Sequence, residues 1–269
     1  MRRAILTGES MPAIDRKRVV IAFVVLIALY HAAEGLGGHV FHSLTVSGGF
    51  LVAMLVAAWP LGRWLGFKGY DAYGLEWRRS TPLLVTGGLV LALLLKYVAV
   101  CVGMALGVYL ARPPETAAAA VMSFVSTLPM ALAVTFVPSI AEDLLTRGFL
   151  YRATRIAWTP WVFVTVSAVA YLLNHVYRLG HGPAEWVMLF CFGLAYATAV
   201  VRTGNLWLAV GLHWGWNLAN QLIDTVLPYD IALPAWSPLL SAAAHLVMLG
   251  VLFAVPTNLE GDDLHADPA

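Results

Sequence analysis

The stretch Ser139-Ile140-Ala141-Glu142-Asp143-Leu144-Leu145-Thr146-Arg147-Gly148 decides the reading of this chain. It sets two carboxylates and an arginine in a run whose flanks, 122–137 and 149–151, are apolar enough to lie in lipid. Ionisable groups are costly at that depth, so their presence marks a functional site by default. Thr135, Ser139, Glu142 and Thr146 are spaced by four, three and four, which a helix turns into one polar side. Asp143 and Arg147 stand at i and i+4 with the acid first, the favourable order for an ion pair. Asp143 is therefore assigned to hold Arg147, and Glu142, about 100° away around the helix, is left free for chemistry. Pro138 has no N–H and leaves the Val134 carbonyl without its helical donor, which predicts a bend just before Glu142.

Composition agrees with a membrane setting. The chain has 269 residues, 60% hydrophobic and 12% charged, with a mean hydropathy of +0.78. Soluble domains carry about 25% charged residues, so so few charges cannot cover a water-facing surface. The net charge of +1 argues against a nucleic-acid partner. Cys101 and Cys191 lie in apolar runs and read as small buried residues, not as a disulfide framework. Apolar runs of about the length a bilayer needs predict eight spans: 19–33, 46–65, 81–111, 119–155, 160–178, 184–202, 205–227 and 236–255. The first is closed by Glu34 and Gly35 and reads as a retained helix; the third is long enough to tilt or project. Backbone groups in lipid must bond internally, so the expectation is an all-α polytopic membrane protein of about eight helices with a polar cluster inside the bundle. We read 1–269 as a single membrane-embedded domain: a basic cytoplasmic N-terminus at 1–18, catalytic helices at 119–227 and a polar tail at 257–269. Arg and Lys gather before the first span and after the second, fourth and sixth, Arg147 counted among them, which predicts both termini in the cytoplasm. With no eukaryotic targeting signal visible, a prokaryotic plasma membrane is expected.

Two further helices carry polar stripes. Tyr171 and His175 are i, i+4; His213, Asn217, Asn220 and Asp224 follow with spacings of four, three and four. If the fourth and fifth spans turn near Trp158, Glu142 and His175 both lie roughly 25 Å from that turn, at matching depth. One carboxylate, two imidazoles and a carboxamide in a dry cavity suit the addition of water to a carbonyl. A buried glutamate can act as general base, and Asn217 with His213 can stabilise an oxyanion. No Gly-x-Ser-x-Gly elbow is present for a serine mechanism. Glu142, His175 and His213 also offer three ligands for zinc, but without a His-Glu-x-x-His motif the metal-free reading is preferred and no cofactor is expected. A non-catalytic scaffold or self-immunity protein is the alternative, in which the cluster only fastens helices. The other histidines, His31, His39, His42, His181 and His245, read as packing residues, and Lys96 is expected to pair with an acid inside the bundle. Trp158, Trp161, Trp207 and Trp236 read as interface anchors.

At these residues the chain resembles a known family. Glu142-Asp143-Leu144-Leu145-Thr146-Arg147 is similar to the Glu-Glu-x-x-x-Arg motif of the CAAX-protease and bacteriocin-processing (CPBP, or Abi) intramembrane proteases. Tyr171-Leu172-Leu173-Asn174-His175 resembles their Phe-x-x-x-His motif, and His213-Trp214-Gly215-Trp216-Asn217 their His-x-x-x-Asn motif. The resemblance implies an eight-helix intramembrane endopeptidase in which Glu142 and His175 activate water and His213 and Asn217 hold the oxyanion. Asp143, Arg147 and Tyr171 are then supporting residues. Asp143 stands where the family has a second Glu, and Tyr171 where it has Phe. The implied substrate is a peptide or protein, lipidated or membrane-anchored.

Overall fold

The computed structural model describes residues 15–113 and 116–254. The basic stretch ahead of Asp15, the residues Pro114 and Glu115, and the tail beyond Ala254 lie outside them. Eight α-helices stand among the described residues: α1 (Arg16–Ala32), α2 (Leu44–Trp64), α3 (Thr81–Ala105), α4 (Ala117–Asp143), α5 (Pro160–Asn174), α6 (Pro183–Thr203), α7 (Trp207–Val226) and α8 (Ser237–Ala254). Their starts follow local chemistry. The Asp15 and Ser43 side chains accept from Lys17 N and Val46 N at the heads of α1 and α2. Proline in the first turn opens α3, α5 and α6, where its missing N–H costs nothing.

The chain is an all-α polytopic membrane protein. Six helical stretches are long and apolar enough to cross a bilayer, and the two left out of that set are α5, which is short, and α7. α7 supplies His213 and Asn217, and His175 caps the C-terminal end of α5. Polar residues lower a helix's own hydropathy, and they are tolerated because they face the bundle interior. The outward faces of α1, α3 and α4 carry Val20, Val24, Leu83, Leu94, Met122 and Val125, all exposed.

Three predicted boundaries are corrected. The first span does not close at Glu34: the helix continues as a wide π-turn over Ala33–Val40. The third span is not one long helix. α3 stops at Ala105, Gly107 turns at φ 70°, and Tyr109–Ala111 (β1) pairs antiparallel with Tyr229–Ile231 (β2). The fifth span ends as an α-helix at Asn174, and Val176–His181 forms a 3-10 turn.

α6 lies in the middle, packed against α5, α7 and α8, and two-thirds of its apolar window is enclosed. The closest crossing is α3 on α7. A Cβ on Gly215 would stand 2.5 Å from the carbonyl oxygen and 2.8 Å from the Cα of Leu89, so only glycine lets the two backbones meet there. Opposite turns close at one end of the bundle. Leu206 N donates to Gly74 O at 2.8 Å, Trp207 Nε1 to Glu76 O at 3.1 Å, and Arg152 pairs with Glu76 at 2.5 Å.

Candidate active site

α4 owes its polar side to hydroxyls that serve as donor and acceptor at once. Thr135, Ser139 and Thr146 donate back to the carbonyls of Ala131, Thr135 and Glu142 at 2.6, 2.7 and 2.7 Å, satisfying themselves inside an apolar helix. Their oxygens remain free to accept. Trp214 Nε1 donates to Thr135 Oγ1 at 3.2 Å and Asn217 Nδ2 to Ser139 Oγ at 3.0 Å, which joins α7 to α4 along the predicted stripes. The α-ladder runs through Pro138 and gives way after Asp143 to a π-helical segment, Leu144–Ala153. Within it Ser167 of α5 donates to the Thr146 carbonyl at 3.0 Å. Glu142 and Asp143 therefore sit at the last α-helical turn before the widened backbone, a feature often found at functional sites.

Four groups converge on the Glu142 carboxylate, itself 5% exposed. His175 Nε2 lies 3.2 Å from Oε1 and His213 Nε2 3.4 Å from Oε2. Tyr30 donates its hydroxyl to Oε1 at 2.7 Å from α1, and Asn174 Nδ2 donates to the same oxygen at 3.4 Å. Neither Tyr30 nor Asn174 stood out in the sequence. Tyr30 lies in an apolar run 112 positions away, with no local signal. Asn174 offered one, as an amide in an apolar helix just before its end.

Asp143 and Arg147 pair as expected, both fully buried. Asp143 has a second task that spacing did not reveal: its Oδ1 lies 3.0 Å from His213 Nδ1. The Arg147 guanidinium packs over the rings of Tyr171 and Tyr196, 4.5 and 5.0 Å from their centroids. It is interior, so it does not belong among the loop cations. The Tyr171 ring meets His175 edge-on at 4.6 Å, and its carbonyl oxygen lies 2.8 Å from His175 Nδ1.

These partners settle the protons. A carbonyl or an ion-paired carboxylate only accepts, so Nδ1 of each ring carries a hydrogen. As neutral rings, both would turn a bare Nε2 toward the carboxylate.

The cluster opens into a cavity of about 330 Å³, whose walls include Lys96, Glu142, His175, His213, Asn217 and Asn220. Asn217 thus reaches the same space, although one of its amide hydrogens goes to Ser139. Asp224 does not: it pairs with Arg112 at 3.0 Å on the surface. Among the described residues Lys96 finds no acid; its ammonium stands 5.1 Å from the Trp216 ring. Of the histidines read as packing residues, His245 is buried and bonds the Tyr196 hydroxyl at 2.9 Å. Among the described residues no three His, Cys, Asp or Glu side chains are arranged to hold a metal ion.

Residues 124–219 match a family model described as type II CAAX prenyl endopeptidase Rce1-like. No curated protein matches the chain significantly. The matched segment contains Glu142, His175, His213 and Asn217 and leaves out Tyr30 and Lys96. Over that segment, about a third of the chain, the protein is similar to the CAAX-protease and bacteriocin-processing family of intramembrane peptidases.

Proposed function

We propose that the protein is an intramembrane endopeptidase in which Glu142 activates the attacking water. One observation carries this reading: the two oxygens of one buried carboxylate each face the Nε2 of a different histidine, on the wall of a cavity wide enough for a peptide. Water bound there gives one proton to Glu142, shared with His175, while its oxygen bonds to the scissile carbonyl carbon. The oxyanion takes hydrogen bonds from the second Nδ2 hydrogen of Asn217 and from protonated His213, whose charge Asp143 balances. Collapse breaks the C–N bond. The proton held by Glu142 and His175 passes to the departing nitrogen, and the new carboxylic acid gives its own proton to the amine, leaving a carboxylate and an ammonium as products. No step is routed through a metal, and cleavage in this reading persists in 1,10-phenanthroline.

The substrate is a membrane-anchored or lipidated peptide. A second cavity of about 200 Å³ supports this, lined by Phe23, Ile27, His31, Leu145, Leu150 and Leu173 among others. It also touches Asn174, the residue that donates to Glu142. An alkyl or prenyl chain seated there would lie beside the catalytic carboxylate.

Comparing membrane and secreted peptides from cells carrying the wild-type protein or Glu142→Gln tests the reading. A new terminus should appear with the wild type and vanish with the variant, while both proteins accumulate equally in membranes. If no terminus differs and Glu142→Gln fails to accumulate, the cluster is a helix fastener and the scaffold reading replaces this one.

A further inference from the structure

We propose that Lys96 is a substrate-recognition residue that binds a carboxylate on the peptide lying in the cavity. The inference rests on the peptidase reading above. It starts from the charges on the cavity wall. Of the two lysine or arginine side chains there, Arg178 is paired with Glu185. Of the two acids, Glu185 is thus taken, and Glu142 is engaged by both histidines and Tyr30. Lys96 is left over. It is 6% exposed, its ammonium stands 5.1 Å from the Trp216 ring, and among the described residues no acid forms an ion pair with it.

An ammonium buried in a membrane bundle without an anion is costly and is retained where it has a task. Its position is also built. The crossing at Gly215 presses α3 onto α7, and Trp216, itself buried, holds the lysine stem and head against the cavity. The cavity, about 330 Å³, is roughly twice the ~150 Å³ that encloses a benzene ring. It accommodates a short peptide end better than a continuous chain. A peptide end that lies in it brings a free carboxylate, the anion Lys96 lacks; an acidic side chain would offer the same group.

The test uses full-length protein in nanodiscs and an S-farnesylated fluorescent peptide ending in Cys-Val-Ile-Met. The peptide is made as the free acid, as the C-terminal amide, and as an amide with Glu in the last position. Cleavage by wild type should favour the acid over the amide by about tenfold or more in kcat/KM, through KM, as expected for a charge-assisted bond. Lys96→Met should bring that ratio close to one, and Lys96→Arg should restore part of it. Rescue of the amide by the terminal Glu assigns recognition to a side-chain carboxylate as well as to the C-terminus. Anisotropy of the same peptides on Glu142→Gln protein, with and without Lys96→Met, reads binding without cleavage. If wild type cleaves none of the peptides, the peptidase reading fails for them, while the binding ratio still decides the role of Lys96. An acid-to-amide ratio unchanged by Lys96→Met in monodisperse protein, equal binding of acid and amide, or no binding of either overturns the proposal.

Discussion

Glu142 is held from four directions, and each contact predicts a different loss. Under the proposed mechanism Glu142→Gln should lower kcat by about 10²–10⁴-fold, with membrane accumulation unchanged because the amide still bonds Tyr30 and the rings. Tyr30→Phe removes the 2.7 Å donor to Oε1. Hydrogen bonds to charged groups are worth about 1.5–3 kcal/mol, so kcat should fall roughly ten- to a hundredfold, with thermal unfolding of the purified protein little changed. Asp143→Ala is a different case. It strips the carboxylate from a fully buried Arg147 and from His213 Nδ1, and a lone buried charge costs about 3–5 kcal/mol. We expect poor accumulation in membranes, and a normal level of folded, active protein would show that Asp143 is dispensable.

At the scale of elements, the site depends on two helix contacts made by different means. α4 meets α7 through hydroxyls that donate within their own helix and accept from the other. α3 meets α7 through absent side chains. Gly215→Val should therefore be far more damaging than Ser139→Ala. The first drives a branched side chain into the Leu89 backbone, which cannot yield, and should abolish folded protein. The second removes one acceptor at a cost of roughly 1 kcal/mol, read as a small fall in melting temperature. The stripes on α4 and α7 were legible because helical spacing alone aligns them. The end of α5 at Asn174 and the π-segment after Asp143 were not, because both depend on partners elsewhere. Ser167 of α5 takes the Thr146 carbonyl, and His175 folds its ring back onto the carbonyl of Tyr171.

Over the whole molecule, charge and cavity lie at opposite ends. Arg18, Arg152 and Arg155 bond Trp64, Glu76 and Leu65 at the end where α2, α6 and the π-helical segment after α4 finish. The cavity rim, with Arg178, Asn220 and Ser237, belongs to the end where α6 and α8 begin. If the basic end faces the cytoplasm, substrate enters from the other face. In a background lacking Cys101 and Cys191, Asn220→Cys should react with a membrane-impermeant maleimide in intact cells, and Arg79→Cys only after permeabilisation; the reverse pattern inverts the topology. By itself the sequence determined the membrane class, the eight helical runs and the four residues of the three motifs, since hydropathy and helical spacing are local properties. Only the tertiary structure decided that Tyr30 and Asn174 complete the carboxylate's shell, that Asp143 serves His213 as well as Arg147, and that Lys96 faces the cavity without an acid. Those contacts join distant segments, and which side chains meet across them is set by how helices pack, not by the order in which residues are written.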